Sequence, residues 1–311
     1  MLELANLSLL SQLQRATFAR RTVCYIAASQ VWTCPADGWL VIRCLGAGGS
    51  GAAFNFVSGP PVSISGGSAG TVGVKRVRVS RGGQFTFVIP AGGASVATGS
   101  HGNAGGTLTV TGPGVDISIP GGPGGRRSTT GGESVENDDA ADPTGLDWFI
   151  KSARNTAGGG AYTGGAAPAL LVGGQSHAST SANGASVTGN EIRQSLTGAV
   201  SYSEADYAAP VPPMDASHCW LLVDVSGAWV SRNGNAAFKW RSGQGGFNGA
   251  QGGFGGGGGG RDGGAQNSVR AGEGGAGAGG GAMRGTAGGT NQLSGAGGPG
   301  FVTLELLEAQ P

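Results

Sequence analysis

Carboxylates collect in one stretch of this chain, at Glu133, Glu136, Asp138, Asp139, Asp142 and Asp147. A pair of carboxylates flanking a glycosidic bond can cleave it, one as acid and the other as base or nucleophile. Asp138, Asp139, Asp142 and Asp147 could supply such a pair. The stronger reading is a solvated acidic loop, one that could also hold a cation. His101, His177 and His218 are far apart in sequence, and the first two stand in glycine- or serine-rich settings. They read as loop histidines. Cys24, Cys34, Cys44 and Cys219 form no CxxC pair, so a zinc site is poorly supported and buried free thiols are expected. Gly-x-Gly-x-x-Gly matches arise by chance at this glycine content and lack the strand–helix–acid context of a dinucleotide site. No Gly-Lys-Ser/Thr occurs, so there is no phosphate-binding P-loop. The expectation is a non-enzyme, with no catalytic residue, metal or cofactor assigned.

The elements that must position these residues are unusual. Of 311 residues, 67 are glycine, about three times the ordinary share of roughly 7%. Charged residues are 12%, and the net charge is +1, so no basic field points to nucleic acid. No run of about twenty apolar residues suggests a membrane span. The first residues lack a basic start, so a secretory signal is not expected. Residues 1–21 read as an amphipathic helix through Leu2, Ala5, Leu9, Leu13 and Ala16, for attachment or oligomerisation. Residues 22–125 read as a β-rich domain with glycine-rich loops. Its strands are expected around Val23–Tyr25 and Val31–Trp32, then over Trp39–Leu45, Val72–Val79, Gln84–Ile89, Thr107–Val110 and Val115–Ile119. Residues 126–215 read as an insertion with its own small packed element near Trp148-Phe149-Ile150, followed by loop from 175 on. Residues 216–311 read as a glycine-rich body, with strand character at Trp220–Val225 and a closing strand at Phe301–Leu307.

In that last region 28 of the 60 residues from 241 to 300 are glycine. A flexible linker is the default for such a tract. Three features oppose it. Phe247, Phe254, Val269, Met283 and Leu293 interrupt the glycines, a strand closes the tract, and glycine recurs at every third position. The period-three positions are Gly243, Gly246, Gly249, Gly252, Gly255 and Gly258. Three residues per turn is the period of a polyproline-II-type helix. One face of such a helix would be bare backbone, able to pack and hydrogen-bond against a neighbour. Collagen also uses this period but needs a strict repeat rich in proline, and here the register breaks at Arg261.

The run Val31-Trp32-Thr33-Cys34-Pro35-Ala36-Asp37-Gly38-Trp39-Leu40-Val41-Ile42-Arg43-Cys44-Leu45-Gly46-Ala47-Gly48-Gly49 resembles the opening of glycine-rich bacteriophage tail-fibre and adhesin-type proteins. Gly297-Gly298-Pro299-Gly300-Phe301-Val302-Thr303-Leu304 is similar to their closing strand. The resemblance covers residues 30–311; the N-terminal segment and the acidic insertion depart from it. It implies a mainly β fold with a bundle of polyglycine-II helices and loops that contact a host surface. The expected function is then a virion structural protein, a tail fibre or tail-tip adhesin presenting loops to a bacterial protein or glycan. It would assemble in the host cytoplasm with other virion proteins, as a homo-oligomer with a trimer among the options. The alternatives are a purely architectural virion protein (capsid fibre, decoration or tail-tip component) and, third, a polysaccharide depolymerase. Aromatic side chains give large contact area at low entropic cost. Phe54, Phe56, Trp148, Phe149, Tyr162, Tyr202 and Tyr207 are therefore the candidate receptor-binding residues. For Trp148 and Phe149, packing beneath their own loop is the favoured reading.

Overall fold

The computed structural model describes residues 18–56, 63–128, 130, 133, 135–151, 156–157, 186–188, 191–194, 200–201, 257–258, 260–264, 267–286 and 291–309. Among them the structure is strand and irregular chain, with no α-helix. The fold is mainly β. Two antiparallel sheets face each other. The first contains β1 (Phe18–Ile26), β3 (Gly38–Leu45), β5 (Val72–Val79), β10 (Trp148–Ile150) and β17 (Phe301–Ala309), in the order β1-β17-β3-β5-β10. The second contains β2 (Gln30–Thr33), β6 (Gln84–Val88), β7 (Leu108–Gly112) and β8 (Val115–Ile119), in that order.

Alternation decides which side chains enter the space between the sheets. In β6, Phe85 and Phe87 are buried while Gln84, Thr86 and Val88 are exposed. Leu40, Ile42, Ile117, Ile119, Leu304 and Leu306 complete a single core with them. Each such side chain contributes about 2 kcal/mol by leaving water. On the opposite side of the first sheet Arg43 and Glu305 form a buried ion pair at 2.7 Å between β3 and β17. The closing strand β17 thus lies between β1 and β3, not at an edge.

Residues 18–21 correct the expected N-terminal helix. They begin β1 and pair with the end of β17, Arg21 opposite Leu307. Thr22, Val23, Tyr25 and Ile26, all β-branched or aromatic, carry this pairing on. Residues 1–17 of the expected helix lie outside the described residues, as does Trp220–Val225. Trp148-Phe149-Ile150 does not form a packed element of its own but extends the first sheet beyond β5. Beside it, β9 (Val135–Glu136) pairs with β11 (Thr156–Ala157). Within the stretch expected as loop, β12 (Ser186–Thr188), β13 (Glu191–Gln194) and β14 (Val200–Ser201) form a small antiparallel sheet.

Each of six sandwich strands is continuous with a glycine-rich segment at one end of the sandwich. β3 runs into 46–52, β6 into 90–97 and β8 into 120–127; 64–71 leads into β5, 99–106 into β7 and 293–300 into β17. Pro90, Pro120 and Pro299 mark three of these junctions. A proline has no N–H for a strand ladder, and its fixed φ suits an extended helix.

Beyond the junctions the ladder changes step. A β ladder repeats every two residues. Here Gly46, Gly49 and Ala52 donate N–H bonds to Thr71, Ser68 and Ser65 at 2.8–3.1 Å, a step of three. Gly48 and Gly51 donate to Gly298 and Gly295, and Ser50 and Ala53 to Asn103 and Ser100. Successive residues of one segment therefore bond to three different neighbours. The same step recurs where Gly67 and Gly70 donate to Gly280 and Gly277, and where Ala271, Gly274 and Gly277 donate to Leu293, Ala296 and Pro299. A Cβ on Gly67 would fall well inside contact with the Gly49 carbonyl oxygen, so the approach requires glycine there. Of the six period-three glycines read from the sequence, Gly258 is described: it donates to Gly279 at 3.0 Å, and a Cβ on it would strike the Gly272 carbonyl. The other five lie outside the described residues.

Candidate binding surface

The end of the glycine body remote from the sandwich carries short strands and several polar residues. There β4 (Ala53–Phe56), β15 (Arg261–Gly264) and β16 (Met283–Thr286) form a short parallel sheet, Phe54 opposite Arg284. Two small apolar clusters plug this end. Ala52, Ile64 and Ala282 pack with Phe54, and Ala53, Val269, Ala271 and Met283 pack with Val96. Val269 and Met283, which interrupt the glycine tract in sequence, are thus buried in the second of these clusters.

Phe54 is half-buried, with the Arg127 guanidinium 5.7 Å from its ring centroid. The Arg127 N–H donates to His101 Nδ1 at 3.3 Å. Burial lowers the His101 pKa, and the charges of Arg126 and Arg127 lower it further against an opposing pull from Asp138. His101 is therefore biased toward neutral imidazole, able to accept this bond. Arg126 forms an ion pair with Asp138. A second feature of this end is a surface pocket of about 480 Å³. Ala97, Thr98 and Leu293 line one part of it, and Ser268, Arg270, Asn291 and Gln292 the rest.

The expected site residues do not converge. Phe54 and Phe56 stand together on β4 at the remote end. Trp148 and Phe149 lie on β10, where Phe149 is opposite Gly73, close to the junction of sandwich and glycine body. They are 46% and 42% exposed, so they do not pack away beneath their own loop. Tyr162, Tyr202 and Tyr207 lie outside the described residues. The acidic residues are drawn apart by basic partners: Asp138 by Arg126, Asp142 by Lys151 and Asp147 by Lys75. Among the described residues, no three of His, Cys, Asp and Glu gather as a metal site would need.

The aromatic residues singled out in the sequence do not include the polar residues of the tip. Their signal was present: Thr98, Arg127, Arg270, Asn291 and Gln292 stand where glycine tracts give way to polar residues. No protein-family model matches this chain, and no curated protein is similar to it.

Proposed function

We propose that the chain is a virion structural and binding protein, a tail-fibre or tail-tip adhesin. In this reading the β-sandwich is a base and the glycine segments above it are a polyglycine-II bundle. The loops at the remote end meet a bacterial surface molecule. The observation that carries the reading is the three-residue ladder step, repeated between many segment pairs. Three residues per turn with no internal bonds leaves every N–H free to bond outward. A bundle of such helices is a low-charge rod without bulky side chains. At about 3.1 Å per residue, the run from Gly46 to Ala53 would hold the tip roughly 20 Å from the sandwich. Such a rod suits a particle surface, where loops must be presented at a fixed height.

Mass spectrometry of purified particles, with adsorption competition by the isolated chain, tests this. The expected result is that the chain is a particle component and that free chain slows attachment to host cells. Presence in the particle without competition would instead favour the purely architectural role. Absence from the particle would defeat both.

A further inference from the structure

We propose that the pocket at the remote end is a carbohydrate subsite, taking one or two sugar rings of a bacterial surface glycan. The inference rests on the reading that this end faces the host, and it names the ligand class.

The walls are tied by backbone. Leu293 bridges antiparallel to Ala97 and parallel to Arg270. The Leu293 N–H donates to the Val269 carbonyl at 3.1 Å, and the Ser294 N–H donates to the Val96 carbonyl at 2.9 Å. The Val96 N–H in turn donates to Ser294 Oγ at 3.0 Å. Val269, whose carbonyl takes the Leu293 N–H, packs its side chain with Met283 in a buried cluster. The pocket is thus set into hydrogen-bonded backbone, so little ordering is lost when a ligand enters.

Two of its residues lie in the left-handed backbone region, which asparagine tolerates and serine rarely adopts. Ser268 has φ 56° and Asn291 φ 55°. Among the described residues these are the non-glycine positions with positive φ, and both line this pocket. Glycine would fit either place at no steric cost and is abundant around them. In a chain so rich in glycine, a serine and an asparagine at left-handed positions point to a need for their side chains.

Those side chains have the chemistry of sugar recognition. Exposed Asn291 carries a carbonyl oxygen and an NH₂ side by side, which match the donor and acceptor pattern of neighbouring ring hydroxyls, whereas Gln292 is buried with its carboxamide oxygen against Gly285. Thr98 and Ser268 add hydroxyls that donate or accept, and Arg270 adds a cation suited to an acidic sugar. Apolar lining is confined to Leu293 and Ala97, enough for one sugar face and too little for an apolar peptide anchor. The volume of about 480 Å³ lies in the range of small-ligand sites.

Ligand-observed NMR on the full chain tests this, with N-acetylglucosamine, galactose and glucuronic acid as probes and a glycine-serine peptide as control. At least one sugar should receive saturation from the protein and the peptide should not. Asn291→Gly and Ser268→Gly keep the left-handed backbone while deleting the side chain. Each should weaken sugar binding by roughly tenfold, as expected for losing one or two hydrogen bonds, without lowering the melting temperature. Absence of transfer to all three sugars overturns the proposal, as does unchanged affinity in both variants. Failure of the receptor reading looks different: sugar binding would be present and sensitive to Asn291→Gly, yet the chain would not slow particle attachment.

Discussion

In the sandwich, the residue that matters at each ladder step is the one with a side chain; in the glycine body it is the one without. Phe85 and Phe87 fill the space between two sheets, and the ladder around them steps by two. Gly48, Gly67 and Gly70 leave no space at all, and their ladder steps by three. The first region excludes water by apolar area and the second by backbone contact. The body is therefore poorly able to set its own register. Between the sandwich and the tip its side chains are small, mostly serine and alanine, and tell one pairing from another poorly. Register must come from the strands that feed them, fixed by residues such as Leu40, Ile42 and Leu304 in the sandwich.

Cutting into the sandwich should therefore have the largest effect. Phe85→Ala removes a fully buried ring that packs with Trp32 at 5.9 Å between ring centroids. The expected loss is about 4 kcal/mol, and hydrogen exchange should show sandwich and body amides losing protection together. A body that stays protected in this variant would mean that it holds its register unaided.

The converse change should be smaller and local. Gly67→Ala puts a methyl group against the Gly49 carbonyl, and two backbones must separate. About 3 kcal/mol is expected, as for overpacking. Protection should fall in 46–52 and 64–71 while β3 and β5 keep theirs. One shared loss across both regions would show a single cooperative unit and erase the asymmetry. Gly83→Ala in the sandwich, where a Cβ would meet the Ser80 carbonyl at 3.1 Å, should cost less than Gly67→Ala and leave protection in 46–52 and 64–71 unchanged.

A third test targets a side chain that imitates the body's backbone. Asn137 is 2% exposed beside the segments 64–71 and 120–127. Its Oδ1 accepts from the Arg126 N–H at 3.2 Å and from Ser65 Oγ at 2.5 Å. Its Nδ2 donates to the Gly66 carbonyl and to Ser68 Oγ, each at 2.9 Å. One carboxamide thus stands in for a missing peptide group and ties the insertion to the body. Asn137→Ala should cost about 2 kcal/mol by leaving buried groups unpaired. Chemical denaturation of Asn137→Ala, Ser65→Ala and the double variant would measure the coupling. Additive costs would mean that the carboxamide plays no such part.

The sandwich was readable because its signals are local. Gln84–Ile89 and Val115–Ile119 alternate, and Val72–Val79 matches β5 residue for residue. In sequence the period of three stands out in 243–258, where glycine is densest, and of that stretch only residues 257–258 are described. Where the ladder is seen, as in 46–52 and 64–71, serine and alanine occupy many positions. A side chain is excluded only where a neighbour's carbonyl approaches, so the glycine spacing is irregular. Residues 18–21 misled because their neighbours upstream carry a helical leucine spacing while the partner, β17, lies almost 300 residues away. The pocket at the tip was not readable for the same reason: Thr98, Ser268, Arg270 and Asn291 meet only through the ladder. Phe54 was readable as an aromatic in a tract edge, but not its partner Arg127.

The smallest expected effect is at the junction between the two regions, where Asp147 fastens β10 to β5. Burial alone would raise its pKa. The hydrogen bonds from Lys75 Nζ at 2.6 Å and from the Arg76 N–H at 2.7 Å, with the Lys75 charge, outweigh that and hold the carboxyl below its ordinary value of 3.8. A group with a depressed folded pKa stabilises the fold above its unfolded value. That contribution shrinks as pH drops below 3.8 and is gone once pH falls past the lower folded value. The carboxylate is nearly half exposed, so solvent screens it and the effect on global stability should be slight. The local effect should be visible, because Trp148 is the next residue and its strand is three residues long. The Trp148 indole resonance should shift on acidification with a midpoint below 3.8, and Asp147→Asn should abolish that step. A midpoint at or above 3.8, or an unchanged titration in the Asn variant, would show that β10 is held by its ladder alone. The exposed Trp148–Phe149 pair would then owe its position to the sandwich edge and nothing to the ion pair.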